Sequence, residues 1–260
     1  MFERLIDDCH AVVVIVHGAF EHSGRYEWLI NRLNQHNISV VFGDLPGQGV
    51  SKGEKGYIDR FEQYFDTVLK WVERGKQFNR PLFLFGHSMG GLITIRMMQI
   101  YKFDVQGVIL SSPALGIANG LSKPLFYLSK ILNKTFPTMQ FPTGIESQMS
   151  TRNKDFHVRD EADPLFLRKV SVRWYHEFEK AIIDAHQDIN EYPDIPTLLM
   201  QSGKDRLILP QDVKKWFDSL PIKNKTFKLW EELYHELLNE PEREDVFKDV
   251  IEFIGKQIKK

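Results

Sequence analysis

One short stretch of the chain combines a nucleophilic side chain with a backbone setting that could activate it. Residues 82–92 read LFLFGHSMGGL, so Ser88 stands between Gly86 and Gly90 where an apolar strand-like run meets an apolar helix-like run. A serine in such a turn adopts a strained conformation that exposes its hydroxyl, and the flanking glycines leave room for the bend. The pattern predicts that Ser88 is a nucleophile, although a structural turn would use the same residue types.

A serine hydroxyl is a weak nucleophile at neutral pH and needs a histidine base, which in turn needs an orienting carboxylate. In the fold that places a serine at such a turn, the acid and then the histidine follow the serine along the chain, after its last strands. Asp205 follows the apolar run IPTLLMQSG and His235 follows TFKLW, so they are the predicted acid and base. Asp194 or Glu232 as the acid and His186 as the base are alternatives that lie away from the strand ends.

The oxyanion that forms when a serine attacks a carbonyl needs two backbone N–H donors. The first donor is expected from Met89, the residue after the serine. The second is expected from the loop after the first apolar run, HGAF at 17–20, where Gly18 lets the backbone approach a substrate closely. We assign this donor to Ala19, while a simple β-turn remains the alternative interpretation of His-Gly after a strand.

The elements that must position these residues follow from the hydrophobic pattern. Short apolar runs alternate with helical patterns, which is typical of a parallel sheet with helices on both faces. The predicted strands are 11–16, 38–43, 81–86, 105–112, 195–203 and 226–230. The predicted helices of this part are 25–36, 60–78, a helix from the serine turn through Ile100, and two near 210–219 and 241–258.

The alternation stops between residues 113 and 193, where the pattern predicts helices at 124–136 and 168–187 and no strand. The predicted organisation is one α/β domain, formed by residues 1–112 and 194–260 and interrupted by a helical cap at 113–193. The apolar positions of the first cap helix have the spacing of a core face, and the lysines beside them would suit a lipid surface. These positions are Leu125, Phe126, Leu128, Ile131 and Leu132, with Lys123, Lys130 and Lys134.

The composition excludes several function classes. The 34 basic and 35 acidic residues give a formal net charge of −1, which argues against a nucleic-acid-binding protein. The single cysteine, Cys9, excludes an intrachain disulfide and a cysteine-based metal site. The nine histidines contain no H-x-x-x-H pair, so no metal site is predicted. A polar start and the lack of a long apolar run predict a cytoplasmic protein.

Five segments resemble the monoacylglycerol lipase and lysophospholipase branch of the α/β-hydrolase superfamily. They are HGAFEHSGRY (17–26), DLPGQGVS (44–51), GHSMGG (86–91), SGKD (202–205) and YHE (234–236). Two further segments are most similar to the short bacillary lysophospholipase-type members, KVSVRWY (169–175) and LYHELLNEPEREDVF (233–247).

The resemblance implies an α/β-hydrolase fold with a mostly parallel sheet, flanked by helices and carrying a helical cap. Because only about ten residues precede the first apolar run, six or seven strands are expected instead of eight. The resemblance further implies a Ser88–His235–Asp205 triad, no cofactor, and a cap whose apolar inner face guides an acyl chain.

The resemblance also identifies candidate substrate contacts. In monoacylglycerol lipases the residues matching Glu21 and Arg25 help to hold the glycerol hydroxyls, together with a histidine where this chain has Leu238. Phe20 stands where that family often has glycine and would reshape the mouth beside the oxyanion donors. His87 completes the predicted contacts.

The predicted function is hydrolysis of a lipid ester, a monoacylglycerol or lysophospholipid, through an acyl-enzyme, with contact between the cap and a membrane as a further expectation. The alternatives are an aminopeptidase or amide hydrolase on the same scaffold, and a non-catalytic protein that binds a lipid or signal.

Overall fold

The computed structural model contains a central seven-stranded sheet. It describes residues 1–118 and 120–259. Asn119 and Lys260, which fall in the predicted domain ranges, lie outside the described residues. The strands are β1 Phe2–Arg4, β2 Ala11–Val16, β3 Ile38–Phe42, β4 Leu82–His87, β5 Gly107–Ser111, β6 Gln140–Pro142, β7 Lys169–Ser171, β8 Thr197–Ser202 and β9 Lys225–Trp230. The α-helices are α1 Glu27–Gln35, α2 Glu62–Lys76, α3 Met89–Tyr101, α4 Lys123–Thr135, α5 Ser147–Ser150, α6 Lys154–Ala162, α7 Val172–Gln187, α8 Pro210–Ser219 and α9 Arg243–Ile258. Short 3-10 turns occur at Ser23–Tyr26, Ile189–Glu191 and Leu237–Asn239.

The strand order in the main sheet is β1-β3-β2-β4-β5-β8-β9, with β1 antiparallel to β3 and all other neighbours parallel. Strands β2, β3, β4, β5 and β8 are buried along their full length, which explains their continuous apolar sequences. The predicted fold class, a mostly parallel sheet of six or seven strands flanked by helices, is confirmed. The strand order reverses direction between β2 and β4, and the crevice at such a point is where open α/β sheets bind ligands.

The residues between β5 and β8, numbered 113–193 and called the inserted segment below, contain α4 to α7 and also two short strands. The prediction that this segment has no strand is wrong, because β6 and β7 pair antiparallel with Phe141 opposite Val170. Strands of three residues are too short to show an alternating pattern. The predicted helix at 168–187 begins only at Val172, since the hydroxyl of Ser171 accepts the backbone N–H of Trp174 at 3.1 Å and caps the helix.

Every helix within residues 1–118 and 120–259 is too short or too polar to cross a lipid bilayer.

The start of α3 packs directly against the end of β2 at Gly90. A Cβ atom added to Gly90 would lie 2.0 Å from the carbonyl oxygen of Val16 and 2.5 Å from that of His17. Real Cβ atoms do not approach backbone oxygens this closely, so only glycine permits this contact. Gly255 in α9 has open space around it instead, because an added Cβ would meet no atom within 4 Å.

We predict that Gly90→Ala lowers the free energy of unfolding by at least about 2 kcal/mol, because the new methyl group must displace backbone atoms. The matched change Gly255→Ala should leave this free energy unchanged or raise it by up to about 1 kcal/mol, since alanine favours a helix interior. Urea denaturation followed by circular dichroism measures both. An unfolding midpoint of Gly90→Ala equal to that of the wild type would contradict the close approach of α3 to β2.

Candidate active site

Ser88 lies in the sharp turn between β4 and α3. Its φ of 52° and ψ of −119° fall in a region that residues with side chains rarely occupy. Its backbone N–H donates to the carbonyl of Ser111 and its own carbonyl accepts the N–H of Ala114, both at 3.0 Å. A Cβ added to Gly86 would lie 2.6 Å from the carbonyl oxygen of Gly90. The neighbouring elements therefore hold this serine in its strained conformation, on the wall of a cavity.

His235 and Asp205 form a buried pair after β9 and β8. Nδ1 of His235 lies 2.8 Å from Oδ2 of Asp205, and Oδ1 of Asp205 accepts the N–H groups of Leu207 and Ile208 at 2.9 Å. Burial alone would raise the pKa of Asp205, but His235 and the two backbone donors outweigh burial and hold this pKa below its usual value. The ionised carboxylate fixes Nδ1, so Nε2 is the ring nitrogen left for proton transfer.

Further carboxylates act on His235. Burial opposes the charged imidazolium, but Asp205, followed by Glu236 and Glu21, more than compensates and raises the pKa of His235 above its ordinary value. The raised pKa means that the neutral imidazole of His235 accepts a proton more readily than an ordinary histidine does.

The alternative acids and base lie elsewhere. Asp194 accepts a backbone N–H at 3.0 Å, and Glu232 has a 69% exposed side chain that pairs with a surface lysine. Nε2 of His186 lies 2.8 Å from a backbone carbonyl oxygen. In the described part of the chain, none of the three lines the cavity beside Ser88.

The loop after β2 is held by the buried side chain of His17. The backbone N–H of Leu45 donates to Nε2 of His17 at 2.9 Å, so the ring proton is on Nδ1, which lies 2.8 Å from the carbonyl oxygen of Gly18. The C=O and N–H groups of a trans peptide point in opposite directions. By fixing the Gly18 carbonyl, His17 therefore orients the N–H of Ala19 to the other side, and Ala19 lines the cavity.

The neighbouring Phe20 has φ of 69°, an uncommon value for a bulky residue. Its N–H is already engaged, since it donates to the side-chain oxygen of Gln48 at 2.6 Å, so the donor of this loop that is left for an oxyanion is Ala19. Met89 is the first residue of α3, where N–H groups have no intrahelical acceptor and the helix dipole favours negative charge. Two backbone donors are thus available next to Ser88.

A cavity of about 270 Å³ opens beside Ser88 and His235, close to the lower end of the range of about 300–1,000 Å³ that small-molecule sites occupy. The inserted segment supplies much of its wall, through apolar side chains that include Leu121, Phe141, Met149, Trp174 and Phe178. The rings of Trp174 and Phe178 stack with centroids 5.0 Å apart. Such a wall favours the burial of an apolar chain.

Three of the four predicted substrate contacts, Phe20, Glu21 and His87, line this cavity. Burial, together with the nearby ring of His235, holds the pKa of His87 below its usual value, so His87 is neutral. Arg25 differs from the expectation, because its side chain is only 1% exposed and is bonded to three carboxylates instead of facing the cavity.

Among residues 1–118 and 120–259, no group of three or more histidine, cysteine, aspartate or glutamate side chains could hold a metal ion.

Sequence reasoning missed two parts of this site. The stacked pair Trp174 and Phe178 has i,i+4 spacing, but this spacing would fit a core helix equally well. The two carboxylates Asp160 and Glu236 are separated from their partner Arg25 by 135 and 211 residues, so no local pattern links them.

Comparison with known proteins adds an independent observation. A family model described as "Serine aminopeptidase, S33" matches residues 7–242. Phospholipase YtpA of Bacillus subtilis (strain 168) is 44% identical over 249 residues, which cover 95% of this chain and 96% of that protein. Human monoglyceride lipase is 32% identical over 235 residues, covering 88% of this chain and 77% of that protein.

The crystal structure of Paleococcus ferrophilus monoacylglycerol lipase superimposes with a TM-score of 0.89 at 29% identity, covering 98% of each chain. These similarities confirm the family resemblance that the motifs indicate.

We predict that a fluorophosphonate probe labels the protein covalently at Ser88. Labelling should disappear in Ser88→Ala and slow by at least about 10³-fold in His235→Gln, because the serine needs its base. Intact-protein mass spectrometry measures the adduct, and Ser129→Ala, which removes a buried serine of α4, serves as the matched control. Full labelling of Ser88→Ala would show that the reactive group lies elsewhere.

Proposed function

The chain belongs to the serine aminopeptidase S33 family, and we propose that it is a serine hydrolase that cleaves the carboxylic ester of single-chain lipids. The proposed lipids are monoacylglycerols or lysophospholipids. One observation carries the proposal: Ser88 and the His235–Asp205 pair meet at a cavity whose wall is mostly apolar. The names of the relatives, a phospholipase and monoglyceride lipases, support the same substrate class.

The reaction follows from the positions of the polar groups. The Oγ atom of Ser88 attacks the ester carbonyl carbon while its proton passes to Nε2 of His235. The N–H groups of Ala19 and Met89 stabilise the resulting oxyanion. The bond to the alcohol then breaks as His235 returns the proton to the leaving oxygen, and Asp205 stabilises the imidazolium throughout.

A water molecule then repeats the cycle on the acyl-enzyme and releases the fatty acid. His235 deprotonates the water, which forms a bond to the acyl carbon, and the bond from that carbon to Oγ of Ser88 breaks as the serine recovers a proton.

We assign residues 1–112 and 194–260 to a catalytic core and the inserted segment to a cap that binds the acyl chain. The core supplies the charged residues of the cavity, Glu21, Arg206 and Glu236, together with Ser88 and His235, and the cap supplies most of its apolar wall. An acyl chain bound against Trp174 and Phe178 would place its ester carbonyl at the Ser88 end of the cavity.

The alternative of an aminopeptidase is suggested by the description of the family. A free amino terminus needs an available anion, and the two carboxylates that line the cavity, Glu21 and Glu236, both accept hydrogen bonds from Arg25. A long apolar wall with its carboxylates already paired favours a fatty acyl ester over an aminoacyl amide.

We further propose that the cap contacts a lipid surface through α4. Four apolar residues of this helix are between 50% and 67% exposed: Leu125, Tyr127, Leu128 and Ile131. Lys123, Lys130 and Lys134 lie on the same helix and are exposed. An exposed apolar face flanked by lysines binds at the boundary of anionic bilayers. Leu121, just before α4, lines the cavity, so a lipid leaving such a surface would enter nearby.

We expect hydrolysis of both 1-lauroyl glycerol and lauroyl lysophosphatidylcholine, with kcat/KM for the lysophospholipid at least equal to that for the glycerol ester. The reason is that the N–H groups of Arg25, the counterpart of a glycerol-holding arginine, are bonded to carboxylates. Released fatty acid measures both reactions, and Ser88→Ala should lose at least about 10³-fold.

Residual turnover by Ser88→Ala within tenfold of the wild type would refute the serine mechanism. Faster cleavage of aminoacyl p-nitroanilides than of fatty acyl esters would favour the aminopeptidase.

We predict that the double variant Leu128→Ser/Ile131→Ser binds vesicles of phosphatidylglycerol and phosphatidylcholine at least about tenfold more weakly than the wild type. Each half-exposed side chain would lose on the order of 1 kcal/mol of apolar burial in the membrane. Vesicle co-sedimentation measures the binding, and hydrolysis of soluble p-nitrophenyl butyrate should be unchanged. Ile100→Ser, which alters a 48% exposed residue of α3 outside the cap, is the matched control. Equal binding by all three proteins would exclude α4 as the contact.

A further inference from the structure

The guanidinium of Arg25 is buried and shared among three carboxylates. Nε donates to Oε2 of Glu21 at 3.0 Å, Nη2 lies 2.9 Å from both carboxylate oxygens of Glu236, and Nη1 donates to Oδ1 of Asp160. The side chains of Arg25 and Asp160 are each 1% exposed. Each of the three guanidinium nitrogens already donates to a carboxylate, and Arg25 does not line the cavity beside Ser88, so it is not placed to hold a substrate hydroxyl there.

The three carboxylates belong to three different parts of the active site. Glu21 lies in the loop after β2, and its Oε1 accepts the N–H of Gly18 at 2.5 Å, one residue before the oxyanion donor Ala19. Glu236 directly follows the base His235 along the chain. Asp160 belongs to α6 of the cap.

A second contact joins two of these parts, the loop that carries His235 and the cap, because the backbone N–H of Glu236 donates to the carbonyl of Ser150 in the cap at 2.8 Å.

We propose that Arg25 is a positioning residue for the reaction, which holds the oxyanion loop, the base-carrying loop and the cap in one arrangement through Glu21, Glu236 and Asp160. The inference rests on the proposed hydrolase function and goes beyond it, since it gives α6 of the cap a part in aligning the catalytic groups. It also assigns to Arg25 a role other than contact with the polar head of a substrate.

The charges around His235 make this arrangement visible in a pH profile. Asp205 at the end of β8 and His87 at the end of β4 contact its ring, and Glu21 and Glu236, which line the same cavity, act on its charge. The base acts in its neutral form, so activity falls as the pH drops through the raised pKa of His235. Removing the negative charge of Glu236 weakens the preference for the imidazolium and moves this fall to lower pH.

The first experiment compares Arg25→Lys and Asp160→Asn with the wild type on p-nitrophenyl butyrate, an ester with no glycerol head. Lysine keeps the charge but cannot donate in three fixed directions. We expect kcat to fall at least about tenfold in both variants with KM changed less than threefold, because small misplacements of catalytic groups reduce the rate sharply. A loss confined to 1-lauroyl glycerol, with p-nitrophenyl butyrate unaffected, would overturn the proposal and make Arg25 a head-group contact.

Arg96→Lys is the matched control. Arg96 is also a buried arginine that joins the core to the cap, through Asp188 at 2.8 Å and a backbone carbonyl at 3.0 Å, but it touches neither catalytic loop. The kcat of Arg96→Lys should stay within twofold of that of the wild type. A fall equal to that of Arg25→Lys would mean that any loosening of the cap suffices, which would overturn the specific role of Arg25.

Glu236→Gln supplies the readout that a merely structural role would not change. It keeps a hydrogen-bond acceptor for Arg25, and the acid limb of its kcat/KM profile should lie at lower pH than that of the wild type. An unchanged acid limb would overturn the coupling of this network to His235. Circular dichroism melting shows which variants fold; if Arg25→Lys does not, Asp160→Asn and Glu236→Gln decide the question.

Failure of the hydrolase function itself would be distinct, since the wild type would then neither cleave p-nitrophenyl butyrate nor react with a fluorophosphonate at Ser88.

Discussion

The active site depends on one close approach of backbone to backbone, where the start of α3 meets the end of β2 at Gly90. This contact brings Met89, at the N-terminus of α3, next to the loop that carries Ala19. Gly18 extends the same approach, since a Cβ there would lie 3.2 Å from the Cβ of Ser88. The positions of Ser88 and of the two proposed oxyanion donors, Ala19 and Met89, therefore depend on this packing of α3 against β2. In the proposed mechanism, donors fixed in this way need no reorganisation when charge develops on the substrate.

The same region concentrates buried charge, and each buried charge has partners. Besides its contacts with His235 and two backbone N–H groups, Asp205 accepts the hydroxyl of Ser202 at 2.9 Å. Burial would raise the pKa of Glu21, but the guanidinium of Arg25 outweighs burial and lowers it. Ionised carboxylates are tolerated in a buried site only when they are paired in this manner. The consequence for His235 is a more basic imidazole than an isolated buried histidine would have.

The sequence predicted those features that arise from local pattern and chain order. Strands buried on both faces are continuous apolar runs, so the sheet was visible directly, and the strand ends led to Ser88, Asp205 and His235, which the structure brings together. The features it did not predict depend on contacts between distant residues. The pairing of β6 with β7 and the bonds of Arg25 to Asp160 and Glu236 leave no periodic signal. The role of Trp174 and Phe178 in the cavity wall was also not predicted. Their i,i+4 spacing is the same for a helix face in the core and for one that lines a cavity.

Helices α4 and α6 of the cap differ in how strongly their polar contacts hold them in place. This difference bears on how a lipid would reach Ser88. Helix α6 is fastened through Asp160, whose partner Arg25 is fully buried, so separating them would expose unpaired charges to a low-dielectric interior. Helix α4 is bonded to α7 by the hydroxyl of Ser129, 3.0 Å from Nε2 of His176, and by Arg173, which donates to the backbone carbonyl of Asn133 at 3.2 Å. It otherwise exposes much of its apolar face. Displacing α6 breaks the buried Arg25–Asp160 ion pair, whereas α4 takes part in no such pair among the described residues. In the proposed mechanism, entry past α4 would leave the groups that align His235 undisturbed, so that substrate access and catalytic alignment would depend on different helices of the cap.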